Sequence, residues 1–479
     1  MYESTRNRDL SVSASRAIVS GIAPDGGLYV PKGFEPLDLS KIPTTIPYPE
    51  LTRVVLDHFL DDFTLNDLDF VDSAYQDFTP IVGFQRLQDF DLLSLAHGPT
   101  FAFKDMALVL FSELLDQAKN KCGIEGKTVV LTATSGDTGS ATLNGFKDDP
   151  LTRVVVFYPF QGVSAFQEKQ MLSLTDSRHR AIAVKGDFDT CQRLVKRAFI
   201  EMEQDDIVLS SANSINIARI IPQVVYYIYA YLRLVASGRI RFGEEIDVTV
   251  PTGNFGNILS AYYAKMSGLP IDRLIVASNE NHVLTDFFHS GIYQSDRRII
   301  RTISPAMDIL ISSNLERLIY LKSNRNDALI RSLMDELTHN GSYALPDRER
   351  QTYGDFYAGY ATEEKTLQTI YRAFVDEGVL IDPHTAVAAS VYEQYLQEGG
   401  TRKPTVIVQT ADPFKFSEAM CRAFDRNASF SEPSESVTAL ERRTGLRAHE
   451  RIKKLVRERH VPTVWSAEEA LERLWEWIG

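Results

Sequence analysis

A lysine in an apolar setting is the residue of this sequence best suited to covalent chemistry. Lys104 lies in the segment HGPTFAFKD at residues 97–105, next to Phe101, Phe103 and Met106. Burial among apolar side chains lowers the pKa of an amine and makes it nucleophilic, as a lysine that binds a carbonyl compound requires. A lysine at a helix start that extends its ammonium to water has the same local sequence, so both interpretations stay open on this segment alone.

Two turns of small residues are candidates for anion binding. TATSGDTGSA at residues 132–141 and PTGNFGN at residues 251–257 each follow an apolar segment and precede a predicted helix. Free N–H groups at a helix amino terminus attract anions. The first turn predicts a carboxylate site. The second predicts a site for a small phosphate monoester, because the acidic residue that a dinucleotide's ribose needs is missing. For each, a turn whose glycines serve geometry only is the alternative.

Two further segments carry polar side chains that suit ligand binding. In NSINIAR, residues 213–219, Asn216 precedes Arg219 by three positions and would neighbour it on a helix. Together with Lys169 they are candidates for a second anionic group, although buried Asn and Arg side chains equally often complete helix ends. Thr410 ends a predicted strand, where its hydroxyl could face a heteroaromatic nitrogen; an ordinary strand-ending turn is the alternative.

Short β-branched segments that alternate with helical patterns must position these loops. Strands are predicted over residues 127–133, 152–158, 181–184, 247–250, 273–277 and 404–409. This alternation predicts an α/β fold with largely parallel sheets, in which ligands bind at the loops that follow strands. We expect an amino-terminal lobe (1–93), a first α/β half with the lysine (94–240), a second half with the phosphate turn (241–430) and a charged helical tail (431–479). The polar segment 340–366 is expected to be an excursion or lid.

Composition narrows the class of protein. The 479 residues are 44% hydrophobic and 24% charged, as in ordinary globular proteins. The net charge of −13 argues against a nucleic-acid partner. Cys122, Cys191 and Cys421 have neither metal-ligand nor disulfide-framework spacing, so no metal site is expected and a reducing compartment is indicated. No signal peptide or membrane span is predicted, so we expect a cytoplasmic protein without a membrane partner. We expect it to be a monomer or a homodimer. Location in an organelle stays open, because a transit peptide can be removed by cleavage.

Together these motifs resemble the threonine synthase family of pyridoxal-phosphate enzymes, fold type II. The resemblance covers about residues 1–420 in order and spacing. Besides the motifs above it includes YESTR (2–6), GGLYVP (26–31), SPAMD (304–308), DPHTA (382–386) and TADPFKF (410–416). It implies two α/β lobes with largely parallel sheets, an amino-terminal lobe and a helical tail. It also implies a lyase reaction with pyridoxal 5′-phosphate: O-phospho-L-homoserine and water give L-threonine and phosphate, the last step of threonine biosynthesis.

The resemblance assigns roles to individual residues. Lys104 would hold the cofactor as a Schiff base and carry out catalysis, and Thr410 would meet the pyridine nitrogen. The cofactor phosphate would be bound by Gly253, Asn254, Phe255, Gly256 and Asn257. The substrate carboxylate and the cofactor ring would face Ser135, Gly136, Asp137 and Thr138. The substrate phosphate would be bound by Lys169, Ser214, Asn216 and Arg219.

Two departures from the family pattern keep an alternative reaction open. The family usually has Gly at the position of Asn7 and His at the position of Asp412. A carboxylate near the cofactor would disfavour a dianionic substrate. A phospholyase of the same fold, which eliminates phosphate and releases a 2-oxo acid, is therefore the alternative.

Proteins of other classes are disfavoured. A catalytically inactive homologue would be expected to lack the lysine or the phosphate-turn glycines, and both are present. GxSxG, P-loop and dinucleotide motifs are absent from the sequence, which argues against a hydrolase or a nucleotide-dependent oxidoreductase.

Overall fold

The computed structural model describes residues 1–201 and 207–478, and two mainly parallel sheets form the centre of the fold. The strands are β1 Tyr2–Ser4, β2 Asn7–Val12, β3 Tyr29–Pro31, β4 Gly83–Arg86, β5 Asp91–Ser94, β6 Lys127–Ala133, β7 Thr152–Pro159, β8 His179–Val184, β9 Ile207–Ser211, β10 Ile246–Pro251, β11 Ile271–Ser278, β12 Ile292–Gln294, β13 Ser342–Ala344, β14 Phe356–Tyr360, β15 Thr405–Gln409 and β16 Thr463–Trp465.

Helices connect and cover these strands. They are α1 Ala14–Ser20, α2 Tyr48–Phe59, α3 Val71–Ala74, α4 Asp105–Cys122, α5 Asp137–Gly145, α6 Ala165–Leu172, α7 Phe188–Glu201, α8 Ile221–Ala236, α9 Gly256–Met266, α10 Val283–Ser290, α11 Leu315–Lys322, α12 Asp327–Asn340, α13 Asp347–Arg350, α14 Glu363–Glu377, α15 Pro383–Gln397, α16 Ser417–Phe424, α17 Pro433–Thr444, α18 Glu450–Arg457 and α19 Ala470–Ile478. Short 3-10 helices cover Leu39–Lys41, Leu65–Leu68, Ile217–Arg219, Pro305–Met307, Gln351–Tyr353 and Pro413–Phe416. Within the described residues, no helix combines the length and the apolarity needed to cross a membrane.

The first central sheet has five parallel strands in the order β16-β8-β7-β6-β9. Strands β6 and β7 carry runs of Val that are completely buried, as expected for a parallel sheet covered by helices on both faces. The turn at residues 134–138 follows β6 and leads directly into α5. The predicted strands at 127–133, 152–158 and 181–184 are thus confirmed.

The second central sheet has six strands in the order β14-β11-β10-β15-β5-β4. All neighbours are parallel except β4, which is antiparallel to β5. Three adjacent strands, β10, β15 and β5, lead into the turn 251–257, Thr410 and the loop 95–104, respectively. Because carboxyl ends of parallel strands lie at one edge of a sheet, this order brings three of the sequence motifs together.

The sheets divide the chain differently from the predicted segments. The expected boundary at residue 93 falls inside β5, and the β4–β5 hairpin belongs to the same sheet as the second half. The tail is not entirely helical, because β16 pairs with β8 as the outer strand of the first sheet. The expected lid at 340–366 contains β14, an edge strand paired with β11. Each of these strands has three to five residues, which is too short for a clear alternation in the sequence.

Candidate active site

Lys104 stands at the start of α4 in a loop that is fixed from two sides. Phe103 N donates to the Thr410 carbonyl over 2.8 Å, and Asp412 N donates to the Phe101 carbonyl over 3.0 Å. Phe101 has a φ of 60°, in the left-handed region that few side chains adopt, so the loop is held in a strained conformation by its surroundings. These bonds place Lys104 beside Thr410, as the sheet order requires.

The amine of Lys104 lies among protein atoms, although part of the side chain is accessible from a pocket. Burial lowers the pKa of Lys104 to about 8, helped by the cations Arg219 and Lys415 and opposed by Asp137. At pH 8 an amine with this pKa is uncharged in about half of the molecules, whereas an ordinary lysine with a pKa of about 10.4 is almost fully protonated. The structure therefore supports the interpretation as a nucleophilic amine over that of a surface lysine.

The turn at residues 251–257 is held in place by its neighbours. Phe255 has a φ of 62° and precedes α9, so the backbone reverses direction just before the helix begins. Ser312 Oγ donates to the Gly253 carbonyl over 2.7 Å, and Asn314 Nδ2 donates to the Asn254 carbonyl over 2.9 Å. A Cβ on Gly253 would lie 2.6 Å from the Ala306 carbonyl oxygen, so only glycine fits there. The amino terminus of α9 is thereby presented to the pocket.

Two buried donors beside this turn lack acceptors. Asn257 Oδ1 accepts from the hydroxyls of Tyr226 and Tyr227 over 2.6 and 2.5 Å, which orients the amide. In the part of the chain that the structure describes, Asn257 Nδ2 and Arg219 Nε have no hydrogen-bond partner. Burial lowers the pKa of Arg219 to about 10, so the guanidinium remains charged at neutral pH. Unpaired buried donors are costly, and a phosphate at the amino terminus of α9 fits them and the helix dipole.

One pocket joins most of the residues that the sequence predicted. Its lining includes Lys104, Thr138, Ser214, Arg219, Thr410 and the whole turn 251–257. Six further lining residues had no role assigned from the sequence, namely Phe103, Asn213, Gln223, Ala306, Met307 and His384, and of these only Gln223 lies outside the motifs of the resemblance. Residues from both central sheets thus surround one cavity.

His384 is the missed residue with the clearest chemistry. Its Nδ1 lies 2.8 Å from Asp382 Oδ1, and its Nε2 accepts from Ala306 N over 3.2 Å. Because Nε2 accepts from an N–H group, Nδ1 carries the proton towards Asp382, and the two contacts fix the orientation of the ring. The motif DPHTA at 382–386 was the sequence signal for it, because Asp382 caps α15 and His384 stands in the first turn of this helix.

The turn at 134–138 meets the pocket only in part. Thr138 lines it, whereas Ser135 lines a neighbouring pocket with Arg301 and Asp308. Asp137 is buried and accepts from Lys415 Nζ over 2.8 Å. Burial opposes ionisation of Asp137, but Lys415 and Lys104 hold its pKa well below the usual range. Gly136, with a φ of 151°, packs against the Gln167 side chain.

Two residues predicted to bind the substrate phosphate have side chains engaged elsewhere. Lys169 Nζ donates to the carbonyl of Glu458 over 2.6 Å and to that of Val456 over 3.3 Å, at the end of α18. Asn216 is fully buried; its Nδ2 donates to the Ile18 carbonyl over 2.9 Å, and its Oδ1 accepts from Ala218 N. Both side chains therefore already have hydrogen-bond partners within the protein. Their predicted role in ligand binding stays a prediction.

Family profiles match almost the whole chain. "Threonine synthase N terminus" matches residues 1–75, "Pyridoxal-phosphate dependent enzyme" residues 79–411, and "Threonine synthase, C-terminal" residues 385–460. The chain belongs to the threonine synthase family of pyridoxal-phosphate-dependent enzymes. The resemblance seen in the sequence motifs is confirmed.

Individual relatives of the threonine synthase family agree with this. The threonine synthase of Methylobacillus glycogenes is 36% identical over 92% of this chain and 96% of its own length. "Threonine synthase-like 1" of Homo sapiens is 39% identical over 85% of this chain, which spans only 58% of that relative's length.

Solved structures of the family show the same fold. The PLP-bound threonine synthase of Brucella melitensis superimposes with a TM-score of 0.86 at 33% identity, over 99% of both chains. The yeast threonine synthase superimposes with a TM-score of 0.87 at 29% identity, over 100% of this chain and 98% of its own. The α/β fold of type II is confirmed.

The two departures from the family pattern lie outside the pocket lining. Asp412 Oδ1 accepts from Phe414 N over 2.8 Å and caps the short helix Pro413–Phe416. Burial raises the pKa of Asp412 to about 6, with Lys415 acting in the opposite direction. Asn7 is exposed at the start of β2. The carboxylate of Asp412 is therefore not in direct contact with a ligand bound in the pocket.

Proposed function

We propose that this chain is a threonine synthase, which converts O-phospho-L-homoserine and water into L-threonine and phosphate. The observation that carries the proposal is the pocket that joins the amine of Lys104 with the turn 251–257, which follow β5 and β10, the two strands on either side of β15. The three family profiles and the long matches to bacterial and yeast threonine synthases support it. Cytoplasmic location and a monomeric or homodimeric state stay predictions from the sequence.

The pocket residues would bind the cofactor at both ends. Pyridoxal phosphate, when bound, supplies an electron sink for carbanion chemistry. In our proposal Lys104 binds its aldehyde carbon covalently, and the turn 253–257 with Arg219 binds its phosphate. The hydroxyl of Thr410 would face the pyridine nitrogen. Because a neutral hydroxyl stabilises a pyridinium less than a carboxylate does, control of the reaction would depend on positioning.

The substrate would be held on the side of α5. The amino terminus of this helix, with Thr138 in the pocket, favours a carboxylate. Lys104, with a pKa of about 8, is suited both to remove the proton from the substrate α-carbon and to return it near neutral pH. The His384 ring lines the same cavity, and its contacts with Asp382 and Ala306 N fix its orientation there.

The second candidate is a phospholyase that releases phosphate and a 2-oxo acid. The observation that favours it is Asp412, which stands two positions after Thr410 where the family usually has His. Both reactions need the same cofactor site and release phosphate, so only the organic product separates them.

Product analysis decides between the two. The purified holoenzyme is incubated with O-phospho-L-homoserine in ¹⁸O-labelled water, and the products are identified by mass spectrometry. We expect threonine that carries one ¹⁸O in its hydroxyl group, with phosphate in equal amount. Formation of 2-oxobutyrate in place of threonine would overturn the proposal in favour of the phospholyase, and absence of phosphate release would contradict both.

A further inference from the structure

A fully buried lysine connects the loops around the pocket. Lys415 lies in the short helix Pro413–Phe416, and its side chain has no exposed surface. Its Nζ donates to Asp137 Oδ1 over 2.8 Å and to the Thr100 carbonyl over 2.9 Å. Thr100 in turn anchors the start of α4, because its hydroxyl and its N–H bond Asp105 over 2.6 and 2.8 Å.

These bonds cross from one central sheet to the other. Lys415 and the loop of Lys104 follow strands of the six-stranded sheet, whereas Asp137 follows β6 of the five-stranded sheet. Two side chains of α6 complete the junction: Gln167 Nε2 donates to Asp137 Oδ1 over 3.1 Å, and Gln170 Nε2 donates to the Thr100 carbonyl over 3.1 Å. An ion pair buried as completely as this one is stable only when hydrogen bonds hold both ions in place.

We propose that Lys415 and Asp137 form a positioning pair for Lys104, which joins the two halves of the site and balances the charge beside the reactive amine. This proposal depends on the proposed function in one respect only, namely that Lys104 is the cofactor lysine. Neither side chain is proposed to touch a substrate. The pair would hold the loops of Thr100 and Asp137 at the distance that the cofactor needs.

The charge balance follows from the positions of both ions near Lys104. The ammonium of Lys415 disfavours a second cation beside it, and the carboxylate of Asp137 favours one. The other charged or titratable groups that face this cluster are Arg219, His384, Asp382, Asp105 and Asp412. These groups are unchanged when one member of the pair is replaced, so each replacement leaves one uncompensated charge next to Lys104.

The two single replacements therefore have opposite effects on Lys104. Asp137→Asn leaves the cation of Lys415 alone and lowers the pH at which the amine loses its proton. Lys415→Met leaves the carboxylate alone and raises that pH. We expect shifts of about one pH unit in each direction, and a midpoint close to wild type in the double variant.

The measurement is the rate at which the apoprotein captures pyridoxal phosphate, followed by absorbance between pH 6 and 10. Only the uncharged amine reacts with the aldehyde, so the midpoint of the rate profile reports the proton affinity of Lys104. Midpoints that move in opposite directions support the proposal. Midpoints that stay in place, or that both move in one direction, would overturn it.

Control variants separate charge from folding. Lys119→Met removes another buried lysine, whose Nζ donates to Thr128 Oγ1 and the Gly126 carbonyl near the far end of α4, and it is expected to leave the midpoint unchanged. Lys415→Arg keeps the cation and is expected to retain the wild-type midpoint. If Lys415→Met does not fold, Asp137→Asn decides alone, since an unchanged or raised midpoint contradicts the proposal. No substrate is used, so failure of the product assay does not affect this test.

Discussion

The surroundings of the turn 251–257 and those of α5 and α6 differ in whether their charged and polar groups already have partners. Beside the turn, Arg219 Nε and Asn257 Nδ2 are buried without acceptors in the described residues. On the side of α5, Asp137 is paired with Lys415, and Lys169 donates to carbonyls of the tail. Because an unpaired buried donor is costly, two such donors beside one pocket indicate a place for an anionic ligand. The paired groups are expected to serve the architecture.

The largest effect is expected at the phosphate turn. Gly253→Ala would place a Cβ 2.6 Å from the Ala306 carbonyl, so the turn must shift away from its phosphate-binding geometry. Overpacking of about 1–3 kcal/mol corresponds to a loss of cofactor affinity of up to about 100-fold. Titration of the apoprotein with pyridoxal phosphate measures it. Gly354→Ala, at an exposed glycine with open space around its Cα, is the matched control and should bind normally.

Arg219→Met should separate ligand binding from folding. The loss of one charge-assisted contact of about 1.5–3 kcal/mol predicts cofactor binding that is about 10- to 100-fold weaker. The apoprotein should lose less stability than the Arg317→Met variant, because the one hydrogen bond of the Arg219 guanidinium in the described residues runs from Nη1 to the Ala212 carbonyl.

Arg317→Met is the contrasting variant for Arg219→Met. Arg317 is equally buried but donates from Nε to the Tyr29 carbonyl and from Nη2 to the Ile215 carbonyl, so its removal should strongly destabilise the apoprotein. Unchanged cofactor affinity in Arg219→Met would remove the distinction between the surroundings of the turn 251–257 and those of α5 and α6.

Lys169→Met tests a side chain of α6 that lies outside the pocket lining. If Lys169 only holds the end of α18, its loss should destabilise the tail by about 1–2 kcal/mol and increase proteolysis there. The KM for O-phospho-L-homoserine should stay within about twofold of wild type. A KM that rises more than about tenfold with an intact tail would show that Lys169 binds the substrate phosphate. Lys185→Met, at an exposed lysine, serves as the control.

The smallest effect is expected for Asp412→Asn. An amide keeps the acceptor that caps the helix Pro413–Phe416 and removes a charge whose pKa is raised to about 6 by burial. A carboxyl with a raised folded-state pKa destabilises the fold increasingly as pH rises from about 4 to 6. Urea unfolding should therefore show a gain of about 1–2 kcal/mol at pH 7 that shrinks towards pH 4. A loss of stability at pH 7 would contradict this assignment.

Motif order predicted much of the fold and several of the segments that line one pocket. The buried Val-rich runs identified six strands of the central sheets, and the turn 251–257 carries its own geometric requirements in its glycines. Lys104 could be placed at a helix start from local sequence. Its burial could not, because it depends on Thr410 and Asp412, which lie some three hundred positions later.

Long-range pairing limited what the sequence could predict for the rest. The tail strand β16 is recognisable only through its partner β8, and the hairpin β4–β5 only through its place in the second sheet. Lys169 and Asn216 were polar residues in suitable positions, but their partners Glu458 and Ile18 are distant in sequence. The local sequence does not distinguish a side chain that binds a ligand from one that donates to a backbone carbonyl distant in sequence.

Reduction of the holoenzyme with borohydride tests the central claim most directly. The reagent fixes the cofactor on the lysine that holds it, and peptide mass spectrometry then locates the modified residue. The pocket geometry predicts a single pyridoxyl group on Lys104, none on the buried neighbour Lys415, and no labelling of the Lys104→Ala variant. A pyridoxyl group found on Lys415, Lys169 or any other lysine, with Lys104 unmodified, would contradict the account.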